Sequence, residues 1–223
     1  DSRYTVAVTS FDTAQNVYWT NEAQGNPVIN VDTVAPNITA TVPTDMATAV
    51  ALNQDIVITF SETMDNATVT YTVTPNPGNL VGVWSAGNTV LTITHDDFAE
   101  LTLYTAEVTV GKDPTGNNLA AGIAPNPWTF TTGDFTQPTS SVNAIAPYWQ
   151  TVTPLAITGT AGDALSTVAT VELWYRYAAD NIIWDVWTLF GTDAAAPWEW
   201  DFSFPGGNGY YEFYSRATDT ACN

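Results

Sequence analysis

A strand that opens at tyrosine and runs into Asp-x-x-x-Asn is written three times in this chain of 223 residues. The copies are Tyr4-Thr-Val-Ala-Val-Thr-Ser-Phe before Asp12-Thr-Ala-Gln-Asn16, Tyr104-Thr-Ala-Glu-Val-Thr-Val-Gly-Lys before Asp113-Pro-Thr-Gly-Asn117, and Tyr211-Glu-Phe-Tyr-Ser-Arg-Ala-Thr before Asp219-Thr-Ala-Cys-Asn223. The aspartates stand 101 and 106 residues apart, about the length of one small β-sandwich. An Asp can accept bonds from the backbone just ahead of it, and Gly or Asn can take the left-handed position that closes a tight turn. The spacing therefore predicts tandem domains in which this strand and turn recur.

The stretches between the repeats alternate with period two. Ile56, Ile58 and Phe60 share a face; so do Val69, Tyr71 and Val73, then Leu91 and Ile93, then Tyr104, Ala106, Val108 and Val110, and finally Trp128 and Phe130. Further on, Val171, Leu173, Tyr175 and Tyr177 alternate with Glu172, Trp174 and Arg176, and Trp198, Trp200, Phe202 and Phe204 alternate with Glu199, Asp201 and Ser203. Short alternating runs broken by Gly, Pro and Asn describe an all-β chain of tandem sandwiches. His95-Asp-Asp-Phe-Ala-Glu-Leu101 is the best helical candidate. Pro-bearing junctions at 32–36 and 133–138 divide the chain into a head segment (1–33), a middle domain (34–133) and a tail domain (134–223).

Charge narrows the partners. Four basic residues (Arg3, Lys112, Arg176 and Arg216) face 23 acidic ones, for a formal charge of −19. That balance repels nucleic acid and anionic lipid. Charged residues are only 12% of the chain, so the acidity comes from missing Lys and Arg, and Thr supplies about a sixth of the residues. One His and one Cys cannot build a zinc site, an iron–sulfur cluster or a disulfide framework. No apolar run approaches the ~20 residues of a membrane helix. No signal-peptide pattern precedes the first strand, as in a fragment or a processed mature chain. A Thr-rich, Lys-poor surface suits an extracellular setting, and the sequons at Asn37 and Asn66 are glycosylation candidates.

Segment 36–133 resembles the bacterial Ig-like domain of the S-layer type. The resemblance is carried by Val42-Pro43, Ile56-Val-Ile-Thr-Phe-Ser-Glu-Thr-Met-Asp65, Leu91-Thr-Ile-Thr94, Tyr104…Val108-Thr-Val, Asp113…Gly116-Asn117 and Trp128-Thr-Phe-Thr-Thr132. Segment 138–223 is similar to an Ig/fibronectin-like repeat of bacterial and archaeal surface proteins, through Val171-Glu-Leu-Trp-Tyr175, Trp187-Thr-Leu-Phe-Gly191, Pro197-Trp198 and Gly209-Tyr-Tyr-Glu-Phe-Tyr…Ala217-Thr-Asp219. The resemblance implies tandem Ig-like sandwiches in an extracellular stalk, surface layer, adhesin or filament, with no catalytic residues.

A sandwich of this kind continues into a last strand after the turn, so the tail domain is expected to lack that strand, while the head is strand material without a domain. Two explanations remain open. The head, with Tyr4, Val6 and Val8 on one face, is a donor strand that completes the tail of another copy and builds a head-to-tail filament. Alternatively, the chain is cut from a longer tandem array and the head ends a preceding domain. The alternative function is an adhesin or carbohydrate-binding module, with Trp174, Trp184 and Trp187 stacking on sugar rings. Calcium is the one cofactor considered, with Asp32, Asp113 and Asp134 at junctions and turns as ligands; Asp12, Asp163 and Asp219 sit similarly. Turn chemistry alone also accounts for these residues. Glu62 and Asp65 read as part of a strand-end pattern, and His95 as a polar turn residue. With no nucleophile, base and acid in a plausible set, no enzyme is expected.

Overall fold

A computed structural model describes the backbone of residues 2–5, 10–11, 17–18 and 28–223, with side chains from residue 31 onward. These residues form strands, turns and loops but no helix. The chain divides into two compact units, residues 1–98 with 103–131, and residues 99–102 with 132–223.

In the first unit, β1 (Ser2–Thr5) runs antiparallel to β4 (Val28–Val31), with Tyr4 opposite Ile29. A short pair, β2 (Ser10–Phe11) and β3 (Val17–Tyr18), lies between them in sequence. Among the described residues, these ribbons join no larger sheet. Val6, Val8, Asp12 and Asn16 lie outside the described residues.

The rest of that unit is an eight-stranded sandwich. β5 (Ile38–Val42), β7 (Ile56–Phe60), β10 (Val90–Thr94) and β9 (Val81–Ser85) make one sheet in that order. β6 (Ala47–Val50), β12 (Trp128–Thr132), β11 (Leu103–Val110) and β8 (Thr70–Thr74) make the other. The inward faces are those the alternation predicts: Ile56, Ile58, Phe60, Val73, Leu91, Ile93, Tyr104, Ala106, Val108, Trp128 and Phe130 are all buried in one core. Period two puts alternate residues on one face only while the strand stays regular. Val110 shows the limit. The register between β11 and β8 shifts between Val108 and Val110, and the bulge turns Val110 out to solvent.

Residues 95–101 are a loop, not a helix. Phe98 is buried in the core, and its N–H bonds the carbonyl of Leu52. The His95 ring lies against Phe98 and bonds the carbonyls of Gln54 and Asp96, while Asn79 holds the Asp96 carboxylate. Loops distant in sequence take backbone groups that a helical turn would need, with Asp96 N–H on the Gly78 carbonyl and Phe98 N–H on that of Leu52.

The second unit pairs β13 (Thr139–Val142), β14 (Leu155–Gly162) and β17 (Glu199–Phe202) in one sheet and β16 (Thr188–Asp193), β15 (Val168–Ala178) and β18 (Tyr210–Asp219) in the other. Ile157, Val171, Leu173, Trp198, Trp200 and Phe202 fill its core. The counterpart of β18 in the first sandwich is β11, which lies between β8 and β12. β18 pairs with β15 alone. A groove of about 450 Å³ opens there, bounded by Pro138 and Ser140 on one side and Ser215 to Thr218 on the other.

Candidate metal centre

The two turns that end β11 and β18 are built alike. In the first, Asp113 Oδ1 accepts from the N–H groups of Thr115 (2.9 Å) and Asn117 (2.8 Å), and Asn117 Nδ2 donates to Asp113 Oδ2 (2.7 Å). In the second, Asp219 Oδ1 accepts from Ala221 (2.9 Å) and Asn223 (2.8 Å), and Asn223 Nδ2 donates to Asp219 Oδ2 (3.2 Å). Each Asn also ties its turn to the segment that leads into its sandwich: Asn117 Nδ2 donates to the Asp32 carbonyl at 3.1 Å, and Asn223 Nδ2 to the Asp134 carbonyl at 2.9 Å. The repeated Asn is thus a staple as well as a turn former.

The position before each Asn is left-handed, with φ +97° at Gly116 and 74° at Cys222. An L side chain pays about 1–2 kcal/mol there, offset in part by the unfolded-state freedom that glycine adds. Cys222→Gly is therefore expected to stabilise the second unit by about 0.5–1 kcal/mol, read as a rise in its melting temperature; a fall would mean that the exposed thiol makes a contact worth more than the strain.

Around each turn three carboxylates converge. Asp32, Glu62 and Asp113 each offer an oxygen within 4.8 Å of the other two, and so do Asp134, Asp163 and Asp219. The two sets come from matching places: the segment leading into the sandwich, the end of its second major strand (β7 or β14), and the turn after β11 or β18. Antiparallel pairing of β5 with β7, and of β13 with β14, brings the first two places together. Asp113, Asp134 and Asp219 are buried. Asp134 Oδ1 accepts from Thr136 N, and Asp163 Oδ1 from Leu165 N and Ser166 N. Their Oδ2 atoms, and Oε1 of Glu62, are buried without a hydrogen-bond donor.

The charges bear this out. Burial, and then the Asp32 and Asp113 carboxylates, push the Glu62 carboxyl above its ordinary range. Burial also works to raise Asp113 and Asp219, but the hydrogen bonds from Asn117 and Thr115, and from Asn223 and Ala221, outweigh it and hold both low. The Ser166 and Leu165 N–H groups hold Asp163 low. Glu100, kept low first by the Phe135 N–H, lies beside Asp134 and adds a fourth carboxyl next to the second set.

Of the residues the sequence picks out for calcium, Asp32 and Asp113 meet in one cluster and Asp134 belongs to the other. Glu62 is what sequence reasoning missed: it reads as strand-end chemistry, yet it joins a carboxylate cluster. The signal was available in the matching offset, since Glu62 follows Asp32 by 30 residues and Asp163 follows Asp134 by 29. Of the sequons, Asn66 is exposed, whereas Asn37 is half-buried and bridged to Ala120.

The sugar-stacking candidates all have partners. Trp174 stacks on Tyr214 at 5.9 Å, with the Arg216 guanidinium at 5.6 Å from its ring, and Arg176 lies 4.9 Å from Trp184 and 4.8 Å from Trp187. Opposite registers on β15 and β18 place the ion pairs Glu172–Arg216 (2.8 Å) and Arg176–Glu212 (2.5 Å) on either side of the Trp174–Tyr214 pair. Two of the chain's four basic residues are held on this sheet face. The aromatics most open to solvent in this unit are instead Tyr148 and Trp149, which line a groove of about 920 Å³ together with Trp184 and Phe204.

The family model of the bacterial Ig-like domain matches residues 32–132, a span that holds the whole first sandwich and its carboxylate cluster. Residues 32–132 form a bacterial Ig-like domain. No curated protein matches the chain. Among solved structures, the fibronectin(III)-like modules of Clostridium thermocellum CbhA are 20% identical, with 84% of this chain and 87% of that one covered and a TM-score of 0.34. The N-terminal part of the bacterial S-layer protein SbsC is 14% identical over 84% of this chain and 42% of that one, TM-score 0.31. Bacteroides ovatus SGBP-B, solved with a mixed-linkage heptasaccharide, is 15% identical over 97% and 58%, TM-score 0.26. The chain thus spans less than two thirds of the last two. Asp113 and Asn117, the turn on which the carboxylate cluster is built, lie inside the Ig-like domain.

Proposed function

We propose that this chain is a structural subunit of an extracellular filament, stalk or surface layer, and that copies join head to tail by strand complementation. The observation that carries the reading is the edge of β18, which pairs with no strand beyond β15, and the groove that separates it from β13, where the first sandwich has β12. An uncovered edge is a template for another strand. Donor material is present in the same chain: β1 and β4 form a ribbon outside both sandwiches among the described residues, and a two-stranded ribbon alone is marginally stable. The Thr-rich surface and the exposed sequon at Asn66 support an extracellular setting.

Like charges at −19 per copy oppose close packing, so assembly should need salt, acid or cations. Expected on negative-stain micrographs and in sedimentation are filaments of the full chain once the charge is screened. Thr5→Pro, which removes a backbone donor from the ladder, should reduce them strongly, and so should a chain shortened to begin at Asp32. A chain that stays monomeric under all these conditions, or a Thr5→Pro variant that assembles as well as the parent, overturns the proposal.

One observation favours a second reading. The groove lined by exposed Tyr148 and Trp149 offers aromatic faces for a glycan. Glycan-array binding that is lost in Trp149→Ala would support it, and silence on the array would remove it.

A further inference from the structure

We infer that each unit holds one calcium ion, through Asp32, Glu62 and Asp113 in the first and Asp134, Asp163 and Asp219 in the second. The inference does not depend on filament assembly. Three carboxylates within 4.8 Å of one another concentrate three negative charges where few counter-charges reach, since none of the chain's salt bridges among the described residues involves them.

The hydrogen bonds leave that charge unrelieved on one side. The donors to Asp113 and Asp219 come from the turn backbone, Thr115 and the stapling Asn, with the Ser166 side chain also reaching Asp219. One buried oxygen on each of Glu62, Asp134 and Asp163 is left without a donor. Asp134 is only 6% exposed and its Oδ2 has no donor. Glu62 and Asp163 are themselves only half-buried, but Oε1 of the first and Oδ2 of the second are buried atoms without a donor, so three of the six buried side-chain polar atoms without a partner, among the described residues, belong to these two clusters. A native protein seldom leaves such atoms unsatisfied, and a bound ion is one of the standard explanations.

The donor set names the ion. All the side-chain ligands are carboxylate oxygens, with no nitrogen or sulfur, which selects a hard cation over zinc or copper. Ca²⁺ sits at about 2.3–2.6 Å from its oxygens, so ligands across it are roughly 5 Å apart, and it accepts irregular sets of six to eight. Mg²⁺ demands a tight octahedron and usually keeps several waters with one or two carboxylates. Backbone carbonyls and water complete the Ca²⁺ shell. The ion joins the leading segment, the β7 or β14 end and the terminal turn of each sandwich; the Asn staple joins only the first and the last of these.

The test uses the full chain stripped with a chelator and then titrated with CaCl₂ or MgCl₂ at matched ionic strength, by calorimetry and by thermal melting. Two Ca²⁺ per chain are expected, with a rise of about 5 °C or more in melting temperature at saturation. Glu62→Gln should lower the stoichiometry from two to one and abolish the rise in the first unit only; Asp163→Asn should do the same for the second. Because Glu62 bonds nothing in the turn, Glu62→Gln without calcium should melt no lower than the parent without calcium, which a merely structural role would not allow. No uptake of Ca²⁺, an equal effect of Mg²⁺, or two ions still bound by either variant overturns the inference.

Discussion

Phe202→Ala is expected to melt the second unit while leaving the first in place. Phe202 is completely buried in β17, opposite Leu155 of β14. Its ring is the hub of an aromatic cluster, with centroids 5.1 Å from Tyr175, 4.8 Å from Phe190, 5.3 Å from Phe204, 5.3 Å from Tyr211 and 4.9 Å from Phe213. Four of the five meet it edge to face or nearly so, the arrangement that the ring quadrupoles favour. Truncation removes the transfer energy of the ring and leaves a cavity that five rigid rings cannot close, so a cost of about 3–5 kcal/mol follows. In a domain of this size each kcal/mol lowers the melting temperature by ~4–8 °C. The core of the first unit contains no residue of this cluster. Calorimetry should therefore show the second unit's transition displaced by tens of degrees or lost, and the first unit's unmoved. Equal displacement of both would mean that the two sandwiches unfold as one.

Gly122→Ala should be the corresponding lesion in the Ig-like domain. A Cβ on Gly122 would lie 2.2 Å from the carbonyl oxygen and 2.8 Å from the nitrogen of Ile38. Neither atom can yield cheaply. Ile38 opens β5, pairs with Phe60 of β7 and is 1% exposed. The loop holding Gly122 is strapped to that strand by Ala120 N–H to the Pro36 carbonyl (2.8 Å) and Ala124 N–H to the Ile38 carbonyl (3.2 Å). Relieving the clash means lifting the loop, which forfeits these bonds at about 1 kcal/mol each in addition to about 1–3 kcal/mol for the overpacking itself. A loss of roughly 3–5 kcal/mol is expected from denaturant titration. Gly162→Ala, where an added Cβ meets nothing within 4 Å, serves as the comparison and should stay within about 0.5 kcal/mol of the parent. If the two variants behave alike, the close approach of Gly122 to β5 is not rigid.

The sandwich faces were legible because a regular strand converts sequence parity into inside and outside. Ile56, Ile58 and Phe60 needed nothing more than that. Where distant parts of the chain intervene, local pattern fails: Val110 is exposed because a bulge against β8 adds a residue, and 95–101 is a loop because Phe98, His95 and Asp96 each bond a partner far away in sequence. The aromatic surplus of the tail was legible as composition, but not as geometry. Trp174 and Trp187 appear in the sequence as free stacking faces, whereas Arg176, Arg216 and Tyr214 lie against them.

The chain's own letters determined the period of about 100 residues, the all-β alternation, the turn chemistry of Asp113 and Asp219, and a net charge of −19. These are local or additive properties, set by neighbours in sequence or by simple sums. Tertiary structure alone decided that Glu62 stands with Asp32 and Asp113, and that Asp134 and Asp163 keep buried oxygens without donors. Each of these depends on which distant strands lie side by side, and strand pairing across 30 to 90 residues is fixed by the packing of the whole core rather than by any segment read alone.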